Sequence, residues 1–259
     1  MRTAFQEQYI AFETIVRREI TRFMRIWTQT LLPPVITQSL YFVIFGKFIG
    51  SQVGQVNGVS YMAFIVPGLV MMAVINSAFM NVVSSFFSVK FQRSIEEILV
   101  SPTSHMAIIA GYVAGGMIRG ILVGTIVFLV SMFFTHPVIH NFPVIIIFII
   151  LTSLVFSLAG LTNAVFAKKF DDVSIFPTFV LTPLTYLGGV FYSIHSLPGF
   201  WQQVSLFNPI LYMVNGFRFG FYGFSDVNVW GSIAFLVALV GVLFYANLYL
   251  LKKGTGIRS

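Results

Sequence analysis

The sequence predicts an all-α integral membrane protein with six transmembrane helices, preceded by an amphipathic helix in the membrane interface. Of its 259 residues, 57% are hydrophobic and 9% are charged, whereas about a quarter of the residues of a soluble domain are charged. The apolar residues form long runs, and a spanning helix needs about 20 mostly apolar residues. The chain 1–259 is therefore predicted to be a single transmembrane domain, with 1–26 as the interfacial helix, 27–251 as the six-span core and 252–259 as a cytoplasmic tail.

The first 26 residues have the pattern of a basic amphipathic helix. Acidic residues interrupt them and no short apolar core precedes a cleavage site, which argues against a signal peptide. On a helix, an apolar stripe lies opposite Arg18, Arg22 and Arg25. The stripe consists of Phe5, Tyr9, Phe12, Val16, Ile20 and Phe23. Such a helix lies in the membrane interface, where it either anchors the chain or also contacts a partner domain.

Two predicted spans follow, at residues 27–48 and 61–87, joined by a polar outer loop at 50–58. Pro33 and Pro34 lie near the start of the first span and predict a kink, because neither can donate a backbone hydrogen bond. The second span carries four polar side chains that we expect to form hydrogen bonds between helices. These are Asn76, Asn81, Ser84 and Ser85.

The stretch 90–102 is the most charged interior passage of the chain. Its charges are Lys90, Arg93, Glu96 and Glu97. Each charge at the bilayer centre costs roughly 3 kcal/mol, so the stretch lies outside the bilayer. Read as a helix closed by Pro102, it has one apolar side, made of Phe91, Ile95, Ile98 and Leu99. This helix is either a handle for a partner or a solvated loop that separates two spans.

The third predicted span, 106–134, carries two rows of glycines and one charge. The first row is Gly111 and Gly115, and the second is Gly116, Gly120 and Gly124. Small residues spaced by four let neighbouring helices approach closely, so both rows predict packing surfaces. Arg119 lies well inside the span, and an intramembrane charge marks a functional site by default. Because no predicted span contains an acidic residue, Arg119 either bonds to helix-end carbonyls or borders a water-filled vestibule.

The last three spans are predicted at 142–166, 173–192 and 229–251. The fifth contains two prolines and two glycines, so we expect irregular backbone there. Between the fifth and sixth spans, 193–228 mixes polar residues with Phe, Trp and Tyr. That composition suits a partly re-entrant segment of short helices that dip into the outer leaflet.

The basic residues predict the orientation. Twelve of the 15 Lys and Arg residues fall in the N-terminal segment, the 90–102 stretch, the turn after the fourth span and the C-terminal tail. Lys47 and Arg218 fall on the other side. Because cytoplasmic loops carry the excess of Lys and Arg, both termini and the 90–102 helix are predicted to be cytoplasmic.

Several function classes are excluded or disfavoured by composition. The absence of cysteine excludes disulfides and thiolate metal sites. His136 and His140 have helical spacing, but Pro137 between them favours a turn, so no metal site is predicted. No Gly-x-x-x-x-Gly-Lys-Ser/Thr loop is present, so the chain itself is not expected to bind ATP. Orientation explains the net charge of +7 better than nucleic-acid binding does.

The segment from Arg93 to Pro102 resembles the coupling segment of type-2 ABC exporter permeases, whose pattern is roughly Gly-Thr-Leu-Glu-x-Leu-Leu-x-Ser/Thr-Pro. The matching residues are Glu96, Leu99, Ser101 and Pro102. Arg93 stands at the position of the usual Gly, and Ser94 at that of the usual Thr.

The C-terminal third resembles the same family, which has a Ser/Gly-Gly-x-Phe motif followed by Leu-Pro, Asn-Pro-x-x-Tyr and Arg. The matching residues include Gly188, Gly189, Pro198, Asn208, Pro209, Tyr212 and Arg218. The run 65–69, which contains Pro67 and Gly68, is typical of the second span of the family. The resemblance therefore extends over nearly the whole chain.

This resemblance implies a permease subunit without an ATPase site of its own and without a bound cofactor. Two such chains, as a homodimer, would work with two separate ATPase subunits that use ATP and Mg²⁺. The cargo would be amphipathic, such as a drug, a lipid or a lipid-linked glycan, moved across the bacterial inner membrane by alternating access. ATPase coupling would involve Arg93, Glu96, Glu97, Ile98, Leu99 and Pro102.

The alternative function is an ion-coupled secondary transporter or a channel. Ion coupling usually employs buried carboxylates, and none of the eight acidic residues falls inside a predicted span. The sequence therefore disfavours this alternative.

Overall fold

The computed structural model describes residues 4–254 and Gly256, and this part of the chain is mostly helical. Its α-helices are α1 (Ala4–Arg25), α2 (Trp27–Thr30), α3 (Leu32–Tyr41), α4 (Gly50–Val53), α5 (Tyr61–Phe91), α6 (Ile95–Val100), α7 (His105–Ser131), α8 (Phe142–Phe166), α9 (Phe170–Phe176), α10 (Thr182–Tyr186), α11 (Gly199–Leu206), α12 (Pro209–Tyr222) and α13 (Val229–Lys253). Two π-helical segments (Phe42–Ile49 and Pro177–Leu181), one 3-10 turn (Ile194–Ser196) and an antiparallel hairpin of β1 (Gln55–Val56) and β2 (Val59–Ser60) complete it.

Helix α5 forms the centre of the bundle and packs against α7, α8 and α12. Apart from a few polar side chains such as Asn81 and Ser85 it is apolar on all sides, and Phe64, Val74 and Phe86 along its length are fully buried. A helix with this pattern must be surrounded by other elements. Its 31 residues give a length of about 46 Å, more than the roughly 30 Å of a bilayer core.

Within the described residues, five helical stretches are long and apolar enough to cross a membrane. They are Trp27–Val53, Tyr61–Phe91, His105–Ser131, Phe142–Phe166 and Val229–Lys253. The first is interrupted at Leu31, where α2 ends and α3 begins. Pro33 and Pro34 lie in the first turn of α3, where a missing backbone N–H costs no helical hydrogen bond.

The predicted fifth span has different boundaries in the structure. Continuous helix runs from Phe170 to Tyr186 in three pieces of 7, 5 and 5 residues, whereas the prediction was 173–192. The middle piece is π-helical and begins at Pro177. The chain then turns at Gly189, whose φ of 71° is incompatible with a continuing helix.

The two ends of the bundle are distinguished by their contacts. We call one the charged end: there Lys90, at the end of α5, donates to the carbonyl of Val165 at 2.6 Å. Gly256, after α13, also lies against that carbonyl. We call the other the hairpin end: there the hydroxyl of Tyr61, at the start of α5, donates to the carbonyl of Phe191 at 3.0 Å. The chain between α8 and α13 therefore leads from the charged end to the hairpin end.

The segment 193–228 folds at the hairpin end, and α12 is its buried part. The Oδ1 atom of Asn208 accepts from the backbone amide of Ile210 at 3.0 Å and caps α12, which begins at Pro209. The Nδ2 atom of Asn208 donates to the carbonyl of Leu184 at 2.6 Å. This one side chain joins the start of α12 to α10.

Candidate coupling surface at the charged end

The 90–102 stretch is not a single helix, which corrects the prediction. Phe91 is the last residue of α5, and a turn at 92–94 separates it from α6. Arg93 has a φ of 61°, so the helix cannot continue through it. Phe91 therefore does not share a face with Ile95: its ring contacts the ring of Phe170 in α9, 4.7 Å between centroids, while Ile95 is buried in the core.

Arg93 has the left-handed backbone conformation that glycine adopts most readily, and glycine stands at this position in the pattern that the segment resembles. A residue with a β-carbon pays roughly 1 kcal/mol in this conformation, and glycine pays almost nothing. The side chain of Arg93 is exposed, so the cost is in the backbone and not in packing.

Helix α6 presents charge and apolar surface outward. Glu96 and Glu97 are exposed in its first turn, where negative charge complements the helix dipole. Val100, its last residue, is 88% exposed. The side chains of Ile98 and Leu99, also predicted to take part in coupling, lie outside the described residues. An exposed helix with this composition can bind another protein.

The neighbouring turn between α8 and α9 is tied to the end of α5. The Nζ atom of Lys90 donates to the carbonyl of Ala167 at 2.6 Å, and a positive charge at a helix C-terminus is stabilising. The carboxylate of Asp172 accepts from the backbone amides of Lys168 at 2.8 Å and Lys169 at 3.0 Å. The contacts of Lys90 thereby fix the α8–α9 turn next to the turn at 92–94.

On its other side, the coupling stretch is held by Gln8 of α1. The Nε2 atom of Gln8 donates to the carbonyl of the exposed Pro102 at 2.7 Å, and its Oε1 atom accepts from the amide of Ser104 at 2.6 Å. Ser104 caps α7, since its Oγ atom accepts from the amide of Ala107 at 3.2 Å. Gln8 thus connects α1, the end of the coupling stretch and the start of α7.

Helix α1 packs alongside α7 and runs in the same direction. A β-carbon added at Gly111 would lie 2.7 Å from the Cβ atom of Ile15, and one at Gly115 would lie 2.5 Å from the Cβ atom of Glu19. The contact advances by four residues on both helices. The first glycine row is therefore the surface on which α1 lies.

The face of α1 that meets the bundle includes only part of the predicted apolar stripe, of which Phe23 is fully buried. Phe5 is 80% exposed and Tyr9 is exposed, whereas Glu19 is 1% exposed. Arg22, predicted on the polar side, donates to the Oδ1 atom of Asn81 at 2.9 Å. The buried face is turned toward Glu19 and Arg22, because α7 offers glycines to α1 and α5 offers polar groups.

Glu19 lies at the centre of a buried polar cluster between α1 and α5. Its Oε2 atom accepts from Arg22 at 3.0 Å and from the Nδ2 atom of Asn81 at 3.2 Å. Its Oε1 atom accepts from the hydroxyl of Ser85. Sequence reasoning missed this residue, although Glu19 and Arg22 have i, i+3 spacing and Asn81 and Ser85 form an i, i+4 polar pair that required partners.

Arg119 is 9% exposed, and it lies where α7 meets the break in the first span. Its guanidinium donates to the carbonyl of Thr30, the last residue of α2, at 3.2 Å. The sequence left open whether Arg119 bonds to a helix-end carbonyl or borders a water-filled vestibule, and this contact is a bond to a helix-end carbonyl. Among the described residues Arg119 forms no ion pair, and it is repelled by the charge of Arg22.

The second glycine row faces α5. A β-carbon at Gly116 would lie 3.0 Å from the carbonyl oxygen of Ala78, and one at Gly120 would lie 2.9 Å from the Cβ atom of Ala78. One at Gly124 would lie 2.5 Å from a methyl group of Val74. The two rows thus hold α7 between α1 and α5.

Residues of the C-terminal pattern meet at the hairpin end, around Arg218. This residue is fully buried. It donates to the carbonyl of Gly189 at 2.7 Å and to the Oδ1 atom of Asn215 at 3.4 Å. Its guanidinium lies 3.9 Å from the centroid of the Phe64 ring, a cation–π contact. Arg218 thereby joins α12, α5 and the turn after α10.

Two of the glycines that carry the resemblance, Gly68 and Gly188, allow close backbone approach at the same end. A β-carbon at Gly68, next to Pro67 inside α5, would lie 2.7 Å from the carbonyl oxygen of Val190. One at Gly188 would lie 2.6 Å from a methyl group of Ile210. No larger residue fits at either position without a shift of the neighbouring chain.

Two further pattern residues contact the ends of α11. Pro198 directly precedes this helix, and the hydroxyl of Tyr212 donates to the carbonyl of Leu206, its last residue, at 2.7 Å. The C-terminal pattern therefore lies at the hairpin end, opposite α6.

Comparison with known proteins identifies the family of this chain. Residues 10–222, from α1 to the end of α12, match the family described as ABC-2 type transporter. The chain is 54% identical over 251 residues to the inner membrane transport permease YadH of Escherichia coli (strain K12), covering 97% of this chain and 98% of that protein. The protein of the same name from Shigella flexneri gives the same values. Nodulation protein J of Rhizobium leguminosarum bv. viciae is 26% identical over 242 residues, covering 92% of each chain. The chain therefore belongs to the ABC-2 type transporter family, as a membrane permease.

Proposed function

We propose that this chain is the permease subunit of an ATP-driven exporter in the bacterial inner membrane. The observation that carries the proposal is α6, an exposed acidic helix fixed to the bundle on both sides, in a chain of the ABC-2 family. ABC-2 permeases work with an ABC ATPase subunit, and relatives of this chain are named inner membrane transport permeases. The separate ATPase binds ATP and Mg²⁺, since this sequence contains no phosphate-binding loop.

A push on α6 reaches the bundle by two routes. The first is direct, because Ile95 at the start of α6 is buried in the core. The second passes from Pro102 through Gln8 into α1, and from Glu19 of α1 to α5 through Asn81. Movement of the ATPase subunits is thereby converted into movement of α1 and α5, which opens and closes a pathway between two permease chains.

We propose six crossings with both termini in the cytoplasm. The helical run Phe170–Tyr186 leads from the charged end to the hairpin end and supplies the sixth crossing. Its length is about 26 Å, slightly less than the roughly 30 Å of a bilayer core. The charged end carries α1, α6, the α8–α9 turn and the end of α13. The excess of basic residues there supports a cytoplasmic location for this end. Arg2 and Arg258, which contribute to that excess, lie outside the described residues.

The functional unit would be a homodimer with two ATPase subunits. The first and last long apolar stretches, Trp27–Val53 and Val229–Lys253, are mostly exposed within one chain. Only 17% of the most apolar segment of each is buried. These faces are available for a second copy or for lipid. The cargo is an amphipathic molecule, such as a drug, a lipid or a lipid-linked glycan, as the resemblance to the family implies.

The ion-coupled alternative needs a new assessment, because Glu19 is a buried carboxylate that the prediction placed at the membrane surface. The absence of acids from the predicted spans therefore no longer argues against ion coupling. Glu19 already accepts hydrogen bonds from Arg22, Asn81 and Ser85. Membership of the ABC-2 family favours ATP as the energy source.

The test is purification of the tagged chain from its native membrane in mild detergent, with mass identification and an ATPase assay. We expect a stoichiometric soluble ATPase in the eluate. Val100→Asp should reduce its recovery about tenfold, the equivalent of about 1.4 kcal/mol, and Glu96→Ala should act in the same direction. Val138→Asp is the matched control, because Val138 is also exposed but lies in the α7–α8 connection at the hairpin end. A chain that elutes alone without ATPase activity would refute the exporter proposal and favour an ion-coupled transporter or channel.

Arg119 is kept as a candidate residue of the transport pathway. Arg119→Ala should reduce export while the permease still assembles with its ATPase. Normal export by this variant would leave Arg119 with only the structural contact to Thr30.

A further inference from the structure

One side of α1 carries a basic groove, and of the residues that line it only Arg22 also belongs to the Glu19 cluster. The groove has a volume of about 520 Å³ and is lined by Arg17, Arg18, Thr21, Arg22, Arg25 and Ile26. Arg18, Arg22 and Arg25 lie four and three residues apart, so their side chains form one column along the helix. The column is about 10 Å long at 1.5 Å per residue.

Two of the four arginines have a carboxylate partner and two do not. Arg17 pairs with Glu13 at 2.6 Å, and Arg22 pairs with Glu19 at 3.0 Å. Among the described residues, Arg18 and Arg25 form no ion pair. The buried guanidinium of Arg119 adds to the positive charge near Arg22. The groove therefore has an excess of positive charge that an anion would neutralise.

The groove is continuous with exposed apolar residues at one end. Ile26 lines it, and Met24 and Trp27 beside it are about half exposed. Trp27 begins the first long apolar stretch. A ligand with an anionic head and apolar chains matches this order of surfaces, whereas an acidic peptide would leave the apolar end uncovered.

We propose that this groove binds the phosphate headgroup of an anionic phospholipid of the surrounding bilayer. The guanidinium groups of Arg18 and Arg25 donate to the phosphate oxygens, since the planar guanidinium suits paired hydrogen bonds to phosphate. The acyl chains lie against Ile26 and Trp27. The site is independent of the export proposal, because it requires neither ATPase nor cargo.

Trp27 provides a reporter next to the groove. Trp201→Phe and Trp230→Phe leave it as the single tryptophan of the chain. The purified permease is placed in nanodiscs that contain brominated phosphatidylglycerol or brominated phosphatidylcholine at equal mole fractions, and quenching of Trp27 is measured. Each arginine near an anionic surface contributes roughly a fivefold preference, so the anionic lipid should be preferred by about 25-fold in all.

Arg18→Gln with Arg25→Gln should abolish the preference, so that both brominated lipids quench equally. Lys252→Gln with Lys253→Gln is the control, because it removes the same charge from an exposed site at the end of α13 and should keep the preference. Elution as a single species in size exclusion shows that each variant is folded.

Three results would overturn the proposal. The first is equal quenching by the two lipids in the parent chain, and the second is an unchanged preference in the Arg18 and Arg25 variant. The third is release of the quencher by inorganic phosphate at millimolar concentration, which would assign the groove to a free anion. In the second case, the arginine variant keeps the lipid preference. If that variant also fails to co-purify with the ATPase, the groove would be assigned to a protein partner.

Discussion

Replacement of Glu19 by alanine tests whether α1 is held to the bundle by its buried carboxylate. The substitution removes the acceptor of three hydrogen bonds, which come from Arg22, Asn81 and Ser85. Because α1 has no other buried acidic group among the described residues, we expect this single change to loosen α1 from α5 and α7.

The magnitude follows from the partners that lose their acceptor. The Nδ2 atom of Asn81 and the hydroxyl of Ser85 are left buried without this acceptor, and each costs about 1–3 kcal/mol of folding free energy. Ser85 can turn to a carbonyl of its own helix, which lowers its share. Arg22 keeps two hydrogen bonds to Asn81, at 2.9 and 3.0 Å. We expect Glu19→Ala to lower the free energy of unfolding by about 3 kcal/mol, and Glu19→Gln, which keeps one acceptor oxygen, by about 1.5 kcal/mol.

The assay is thermal unfolding of the purified permease, together with limited trypsin digestion. A loss of about 3 kcal/mol lowers the Tm of a chain of this size by roughly 6–12 °C. Trypsin should cut after the arginines of α1 faster in the variant. Glu13→Ala is the matched control on the same helix, since the exposed Glu13–Arg17 pair contributes at most about 1 kcal/mol.

Equal Tm values and equal digestion rates for Glu19→Ala and Glu13→Ala would refute the reasoning. That result would show that α1 is held by its apolar contacts alone. A double-mutant cycle with Arg22→Ala would then be expected to show no coupling.

Three further predictions concern other contacts. Arg93→Gly should raise the free energy of unfolding by about 1 kcal/mol, because glycine accepts the φ of 61° without strain; a lower Tm would show that its side chain makes a stabilising contact. Lys90→Met should lower stability by about 1–3 kcal/mol and increase hydrogen exchange in the α8–α9 turn, since the carbonyls of Val165 and Ala167 lose their donor; unchanged exchange there would contradict the anchor. Asn208→Ala should cost about 1–2 kcal/mol in thermal unfolding through loss of the α12 cap, and a Tm equal to that of the parent would show that the cap contributes little.

Local composition was sufficient to predict five of the six long apolar stretches and a break near Pro33 and Pro34, which the structure places at Leu31. Apolar length relative to bilayer thickness is a local property, and a proline removes a donor wherever it stands. The fifth span was placed less well, because Pro177 and Gly189 define its shape through backbone geometry that hydropathy does not report.

The candidate site was predicted in part. The exposure of Glu96 and Glu97 on a short helix could be predicted from their charge alone. The turn at Arg93 could not, because a non-glycine residue with positive φ has no signature in hydrophobic periodicity. The attachment to α1 through Gln8 was also missed, since glutamine is common on exposed helix faces and its partners at Pro102 and Ser104 are distant in sequence.

The sequence by itself determined that this chain is an all-α membrane protein with a charged connection between two of its spans. A long apolar run can satisfy all its backbone hydrogen bonds within the bilayer as a helix, and the bilayer disfavours unpaired charge. The tertiary structure alone decided which face of α1 is buried and what Glu19 contacts. That face depends on Gly115 in α7 and on Asn81 and Ser85 in α5, which lie more than 60 residues away along the chain. A carboxylate becomes stable in the interior only when such donors surround it, and folding brings them together.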